Sequence, residues 1–133
     1  MAKECGCCKA PRLIFPCSGA SDVGRLADLS ARTMTKEGFG KMYCLAGIGG
    51  RVEDILVNAR AASAILAIDG CQQNCAKKTM ELAGFKDFAY IQLADMGFEK
   101  GKTKVSVDEI RKVSVLGKTK LDSLEGSVIQ CEK

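Results

Sequence analysis

The sequence predicts an α/β domain: an open, mostly parallel four-stranded sheet with helices on both faces, of the Rossmann-like or flavodoxin-like type. The main observation is that short apolar runs alternate four times with segments of helical periodicity, which is typical of βαβ units. The second is that 133 residues are enough to bury one hydrophobic core without disulfide support. These features together predict a single domain.

The first unit is a predicted strand over residues 13–16 and a helix from about residue 22. Pro16 ends the strand, because it lacks the N–H that an internal strand residue donates. Ser21 is a suitable N-cap for the helix, and Gly38 predicts its end. The predicted buried face of the helix follows the i, i+3, i+4 spacing and consists of Val23, Leu26, Ala27, Ala31 and Met34.

Two further units follow the same pattern. A short strand is predicted over residues 41–44, and the glycine-rich turn 46–50 leads to a helix over about 51–62 with Val52, Ile55, Leu56 and Ala59 inside. This turn fits a tight connection better than an anion-binding loop, because no phosphate-loop pattern surrounds it. Ala64–Asp69 then reads as a fully buried strand, and a helix is predicted over about 72–83.

The fourth unit is a predicted strand over residues 88–93, a surface loop over 94–105 and a helix. Ser106 and Glu109 have the spacing of a capping box at the start of this helix, with Val107, Ile110 and Val113 inside. The helical pattern weakens from Gly117. We therefore predict a domain over 12–116, a cysteine-bearing segment over 1–11 and a tail over 117–133, either partly helical or loose. The predicted strand order is 2-1-3-4, which centres the strand before Cys17.

Composition excludes several classes of function. The formal charge of +4 comes from dispersed lysines, and seven aromatic residues without Trp offer few stacking platforms, so we expect no nucleic-acid partner. No apolar run approaches the roughly 20 residues that span a bilayer, so we expect no membrane partner. The sequence starts without an apolar signal region, from which we expect a cytoplasmic protein.

Cysteine and histidine counts give the strongest indication of chemistry. The chain has 8 cysteines, which in a reducing cytosol indicate metal or redox chemistry rather than structural disulfides. It has no histidine, so Ser-His-Asp and Cys-His mechanisms are excluded and a protein-supplied metal site must use thiolates. No reaction follows from the sequence, so whether the chain is an enzyme stays open.

Four cysteines are predicted to meet at one edge of the sheet. Cys17, Cys44 and Cys71 each follow a predicted strand, and Cys75 lies one helical turn after Cys71. Cys71 and Cys75 are predicted to lie on one face of the first turn of the following helix, where free backbone N–H groups favour the thiolate. Ligand sites in open parallel sheets form at the carboxyl ends of the strands. Four thiolates match the ligand number of tetrahedral zinc, although the spacing differs from that of a zinc ribbon. A thiol redox site and buried, unreactive cysteines remain the alternatives.

Three segments of the sequence occur together in one known family. They are Pro16-Cys17-Ser18-Gly19, Lys41-Met42-Tyr43-Cys44-Leu45-Ala46 and Asp69-Gly70-Cys71 followed by Cys75-Ala76-Lys77-Lys78. In these segments the sequence resembles the DGC-domain family of zinc-binding proteins. The resemblance covers about residues 12–100, and the joint occurrence of these segments is specific. The family takes its name from the Asp-Gly-Cys motif. The resemblance implies zinc as the cofactor and Cys17, Cys44, Cys71 and Cys75 as its ligands, and it implies no particular reaction.

Three residues beside these cysteines are candidates either for supporting the site or for shaping the turn: Asp69, Gly70 and Ser18. Asp69 either orients Cys71 or acts as a base near the metal, or it is a strand-end residue that bonds nearby amides. Gly70 fits a tight turn. Ser18, which follows Cys17, is predicted either to support the site or to shape its turn. The cysteines at positions 5, 7 and 8 are possible accessory thiols that deliver metal, form a second site with Cys131 or a partner, or attack a disulfide.

The leading hypothesis is a zinc-binding protein that handles or senses metals or thiols. The first alternative is a thiol-disulfide or sulfur-transfer enzyme with Cys71 as a nucleophile of low pKa and Cys75 or Cys17 as the resolving thiol. A second alternative is an interaction module for a metalloprotein partner. The sequence does not identify the partner. A homodimer and a complex with a metalloprotein are both compatible with it.

Overall fold

The computed structural model describes residues 10–127. Strands β1 (Arg12–Pro16), β2 (Lys41–Met42), β3 (Ala64–Asp69) and β4 (Ala89–Gln92) alternate with helices. The helices are α1 (Asp22–Lys36), α2 (Leu45–Gly49), α3 (Glu53–Arg60), α4 (Cys75–Leu82) and α5 (Val107–Ser127), and a short 3-10 helix spans Leu93–Met96. The predicted α/β class and its four strands are confirmed.

All four strands are parallel and their order is β2-β1-β3-β4, as predicted. β1 pairs along its whole length with β3, from Arg12 opposite Ala64 to Pro16 opposite Ile68. The ladder continues one residue further, because Cys17 N donates to Ile68 O at 2.8 Å. The carboxyl ends of the two central strands therefore lie side by side, with Cys17 at this edge.

Alternate residues of the two central strands build a core on each face of the sheet. On one face, Ile14, Leu66 and Ile68 pack with apolar residues of α1 and α5. On the other face, Leu13, Phe15 and Ile65 pack with residues of α2, α3 and α4. Because both faces are covered, β3 is buried at all six positions and carries no polar alternation.

Helix α1 matches its prediction. It begins after Ser21, whose hydroxyl accepts a hydrogen bond from Gly24 N at 3.2 Å, and it ends before Gly38, which has a positive φ of 83°. All five residues of its predicted apolar face are fully buried. The helix thus fixes the position of the loop between β1 and α1, which carries Cys17 at one end.

The connection after β2 differs from the prediction. The glycine-rich turn is the short helix α2, and the following helix starts at Glu53 instead of residue 51. Val52 is the N-cap of α3 and is 49% exposed, so its predicted place on the buried face is wrong. A Cβ on Gly47 would lie 2.7 Å from Ile55 Cγ1, which shows how closely α2 and α3 pack.

Helix α5 begins at the predicted capping-box position and continues ten residues beyond Gly117, through Ser127. The Ser106 hydroxyl contacts the Glu109 carboxylate, and Ile110 N donates to Ser106 O. Val107 is 67% exposed, contrary to prediction, because it is the first residue of the helix. The predicted boundary between residues 116 and 117 lies inside α5, so the first part of the predicted tail is helical.

The second half of α5 is part of the core. Leu121 is fully buried in the α1 side of the core, and Arg12 of β1 donates to Asp122 at 2.8 Å. In the described part of the chain, no helix is long and apolar enough to cross a membrane.

Candidate functional site

A cleft at the carboxyl edge of the sheet brings three of the four predicted ligands together. Cys17, Cys71 and Cys75 line this cleft, which has a volume of about 460 Å³ and which we call the thiol cleft. Asp69, Gly70 and Lys100 also line it. The cleft thus lies beyond the ends of β1 and β3, where the parallel topology places a ligand site.

Cys17 and Cys71 are half-buried, whereas Cys75 is exposed. Backbone N–H groups of Gly19 and Gly70 donate to the Cys17 sulfur, which favours the thiolate, whereas burial and the nearby Asp69 and Cys75 favour the thiol. Burial is the largest of these effects, so the pKa of Cys17 is raised. A cation entering the cleft would compensate for the burial, and two N–H donors are already directed at the sulfur.

The loop between Cys71 and Cys75 differs from its prediction. Helix α4 begins at Cys75 after Asn74, which is in the left-handed region with φ of 59°, and not at residue 72. Cys71 therefore lies in a loop before the helix, and the predicted placement of both thiols on the first helical turn is wrong. The expected activation of Cys71 by the helix N-terminus loses its basis.

The carboxylate of Asp69, the last residue of β3, binds the start of α4 instead. Asp69 is only 1% exposed, and its two carboxylate oxygens accept hydrogen bonds from Ala76 N at 2.7 Å and Lys77 N at 3.0 Å. These amides are among those that a helix leaves without internal partners. Of the roles considered for Asp69, the bonding of nearby amides is therefore present in the structure.

Tyr90 and Asn74 complete this network, and the sequence did not indicate either residue. The Tyr90 hydroxyl donates to Asp69 Oδ2 at 2.8 Å and also contacts the side-chain oxygen of Asn74, which accepts from Gln92. Burial, followed by the charge and hydrogen bond of Asp69, raises the pKa of Tyr90, so the hydroxyl remains a donor. The network connects the loop from Cys71 to Cys75, which we call the cysteine loop, to β4. Only the alternation along β4 could have suggested Tyr90.

Gly70 is required by a close approach between two elements. A Cβ at this position would lie 2.8 Å from the backbone carbon of Val23 in α1. Any side chain would separate β3 from α1 and would move the Gly70 N–H away from Cys17. The glycine of the Asp-Gly-Cys motif therefore has a packing role here.

Lys100 is a further residue of the site that the sequence did not indicate. Its Nζ lies 3.8 Å from Cys71 Sγ. The loop that carries it is held by Asp22 at the start of α1, which accepts from Gly101 N and Thr103 N at 2.9 Å each. These two hydrogen bonds are the main reason why the pKa of Asp22 is lowered. A loop rich in lysine and glycine gives no sequence signal for such a placement.

The remaining predicted site residues lie elsewhere. Cys44 is exposed, precedes α2 and lines a separate groove with Tyr43 and Arg32. Ser18 has a positive φ of 52°, and its hydroxyl donates to Asp28 Oδ1 of α1 at 2.7 Å. The possible accessory thiols Cys5, Cys7 and Cys8, and also Cys131, lie outside the described residues.

The donor set fits zinc in its chemistry but not in its present arrangement. Thiolates are soft ligands that suit zinc, and three of them line one cleft. However, within residues 10–127 no three Cys, Asp or Glu side chains are close enough together to hold a metal ion. Metal binding would therefore require side chains of this cleft to move.

Fold and cleft define a class: an α/β protein with a cysteine-lined cleft at the carboxyl edge of a parallel sheet. The chain belongs to the DGC-domain family, whose domain matches residues 13–115. It is 33% identical over 88 residues to the anaerobic and virulence modulator AnvM of Pseudomonas aeruginosa. These residues are 66% of this chain and 67% of AnvM. No solved structure matches the chain.

Proposed function

We propose that this DGC-domain protein binds zinc at the thiol cleft and acts as a metal- or thiol-handling or sensing protein. The observation that carries the proposal is that Cys17, Cys71 and Cys75, separated by up to 58 positions in sequence, line one cleft. Two backbone N–H groups directed at Cys17 would stabilise its thiolate once a cation compensates for burial. The protein is expected in the cytoplasm, where such thiols stay reduced.

Cys44 is the proposed fourth ligand, and its segment has to shift in addition to the side chains of the thiol cleft. It lines a separate groove and is exposed, so its side chain is free of core packing. A closed site of four thiolates requires the short connection between β2 and α2 to shift toward the cleft. Without Cys44, the three remaining ligands leave one position for an outside thiol, as in catalytic zinc sites.

The metal content of the purified protein tests this proposal. Protein prepared under reducing conditions without chelator is expected to carry close to one zinc per chain by elemental analysis. Replacement of zinc by cobalt should then give strong thiolate-to-cobalt absorption. Folded protein that neither retains nor takes up zinc would exclude the proposal.

Single cysteine-to-serine variants then assign the ligands. Cys17→Ser, Cys71→Ser and Cys75→Ser are each expected to abolish stoichiometric zinc binding. Cys44→Ser is expected to keep the metal and to lower the thiolate-to-cobalt absorption, because one thiolate is replaced by water. An unchanged cobalt spectrum in Cys44→Ser would remove this residue from the site.

The N-terminal cysteines are proposed to be accessory to this site. A chain that lacks residues 1–10 should keep its zinc content, because all the proposed ligands lie within the described α/β fold. The measurement is elemental analysis of the truncated and the full chain, purified side by side. Loss of zinc on truncation would place Cys5, Cys7 or Cys8 among the primary ligands and would contradict the assignment.

Thiol exchange at Cys71 is the second candidate function, and the position of Lys100 favours it. The Lys100 ammonium group lies 3.8 Å from Cys71 Sγ, where it would attract an anionic group of an incoming substrate to the position beside that sulfur. Cys75 and Cys17 line the same cleft and are the candidates for a resolving thiol. The name of the relative AnvM refers to anaerobic conditions, which is compatible with a site whose thiols respond to oxidants.

A third hypothesis, an interaction module that docks a metalloprotein, uses the same edge of the sheet. It predicts that the isolated chain binds no zinc, because the metal belongs to the partner. The elemental analysis of the isolated chain therefore separates it from the leading proposal.

A further inference from the structure

A second cleft meets the thiol cleft at Cys71. It has a volume of about 510 Å³, within the range of small-molecule sites. Gly70, Cys71 and Lys100 line both clefts. Cys17 and Cys75 line only the thiol cleft, so the second cleft, which we call the outer cleft, gives a further approach to Cys71 that the other two thiols do not line.

Charge in the outer cleft is arranged asymmetrically. Lys100 Nζ lies 3.8 Å from Cys71 Sγ. The carboxylate of Glu99 also belongs to this cleft, but Lys102 lies 3.8 Å from it and offsets its charge. An anionic group that enters beside Cys71 would therefore meet the ammonium group of Lys100 first.

The loop that carries Lys100 is held in place from outside the cleft. Asp22 accepts hydrogen bonds from Gly101 N and Thr103 N, and the Thr103 hydroxyl donates to Glu99 O at 2.7 Å. These contacts fix the backbone on both sides of Lys100. The ammonium group is thus attached to a constrained segment of the cleft wall, although the side chain itself is exposed.

We propose that the outer cleft binds a small carboxylate-bearing thiol or disulfide, with its sulfur at Cys71 and its carboxylate at Lys100. The proposal rests on the second candidate function, thiol exchange at Cys71, and is independent of metal binding. It adds the class of substrate and the residue that selects it.

The chemical step is thiol-disulfide exchange with the bound disulfide as the oxidant. The Cys71 thiolate attacks one sulfur, so that a bond forms between Cys71 Sγ and this half of the disulfide. The original S–S bond breaks, and the other half leaves as a thiolate that takes a proton from water. Cys71 sulfur is oxidised to the mixed disulfide, and the released half is reduced.

Three disulfides that share S–CH2–CH2 arms and differ in the charge of the terminal group test the selection. The probes are 3,3′-dithiodipropionate (anionic), bis(2-hydroxyethyl) disulfide (neutral) and cystamine (cationic), applied to metal-free protein in the presence of chelator. The rate of modification at Cys71 is followed by mass spectrometry of its peptide. Each rate is divided by the rate of the same probe with free 2-mercaptoethanol, because the three leaving thiols differ in pKa and therefore in intrinsic reactivity. In the wild type we expect the order of these normalised rates to be anionic, neutral, cationic, from fastest to slowest.

The variants assign this preference to one residue. Lys100→Met should lower the anionic-to-neutral rate ratio by about threefold, the size of effect expected for one exposed charge. Lys100→Arg should keep most of the preference. Lys104→Met is the matched control, because Lys104 is an exposed lysine of the same loop that lines neither cleft, so its removal should leave the ratio close to that of the wild type.

The possible failures are distinguishable. Equal normalised rates for the three probes in the wild type, or an unchanged normalised ratio in Lys100→Met, would overturn the anion-selective cleft while thiol exchange at Cys71 remains. If Cys71 reacts with none of the probes, thiol exchange itself is excluded, together with this inference. Neither result bears on zinc binding, which the metal analysis tests separately. Circular dichroism of each variant verifies that it is folded.

Discussion

Asp69 connects the strand end, the start of α4 and β4 through one carboxylate. It accepts from two amides of α4 and from the Tyr90 hydroxyl. A buried polar group that loses its hydrogen-bond partner lowers the free energy of unfolding. Substitution of each partner of Asp69 should therefore have its own measurable effect on stability. The residue therefore allows a direct test of what holds the cysteine loop.

Removal of the Tyr90 hydroxyl should weaken the protein moderately. Tyr90→Phe deletes one hydrogen bond to a charged acceptor, so we expect the free energy of unfolding to fall by about 1–2 kcal/mol in urea titrations. Asp69→Ala should cost more, because it leaves the Ala76 and Lys77 amides without their partner. Tyr43→Phe is the matched control, since its hydroxyl contacts Asn58 at an exposed position. Equal effects of the two Tyr variants would contradict the network.

Asp22 gives the Lys100 loop a dependence on pH. Hydrogen bonds from Gly101 and Thr103 lower the pKa of Asp22 in the folded state, so its contribution is complete above the unfolded pKa of about 3.9. It is lost as the pH falls through the lower folded pKa. The stability difference between wild type and Asp22→Asn should therefore be largest near neutral pH and should shrink in acid, as measured by urea titration. A difference that grows in acid would contradict this role.

The sequence predicted the cysteines of the site better than their surroundings. Cys17 and Cys71 follow from the rule that parallel strands end at one edge, which depends only on local strand patterns. Lys100 lies 29 positions after Cys71, in a segment without periodicity, and it reaches the cleft through the bonds of its loop to Asp22. Such contacts are set by tertiary structure, so local patterns do not predict them.

Helix α5 shows why a local pattern can fade while a helix continues. Its buried side includes Ser114 and Gly117, which are small residues and do not register as an apolar stripe. A Cβ on Gly117 would lie 2.8 Å from Met34 Cε, so close packing with α1 requires a small residue there. The periodicity was predicted correctly for α1, whose buried side is built from larger apolar residues. In α2, packing of Gly47 against Ile55 likewise overrides the low helix propensity of glycine.

The second half of α5 should therefore contribute to the stability of the whole fold. Leu121 is fully buried, so Leu121→Ala is expected to lower the free energy of unfolding by about 2–5 kcal/mol. Val115→Ala on the same helix is the control, because Val115 is 55% exposed and should change stability by less than about 0.5 kcal/mol. Urea denaturation measures both. A small effect of Leu121→Ala would mean that the helix beyond Gly117 is dispensable.

At the scale of the whole molecule, the site and the core are largely separate. The sheet is covered on both faces by apolar clusters that contain neither Cys71 nor Cys75. Cys17 is different, because it packs against both clusters from the carboxyl edge. A metal at the thiol cleft would thus attach to a fold whose main stabilising contacts are already complete.

This separation predicts that loss of metal and loss of fold are different events. Cys71→Ser and Cys75→Ser should be metal-free yet folded, with melting temperatures close to that of chelator-treated wild type, because neither side chain belongs to the core. Cys17→Ser should melt lower than these two variants even without metal, since its sulfur packs on both faces of the sheet. Circular dichroism melting and zinc analysis of the same samples measure both quantities.

The outcome decides whether a zinc ion bound at the thiol cleft would be structural or reactive. A structural zinc would be coupled to folding and can contribute ~10 kcal/mol or more, so Cys71→Ser would then be unfolded at room temperature. A folded, metal-free Cys71→Ser protein would instead mean that the metal stabilises little of the structure. The cysteines would then be retained for reactivity at a cleft that solvent and Lys100 both reach. We expect this second result, because 133 residues with a core on each face of the sheet do not need a metal to fold.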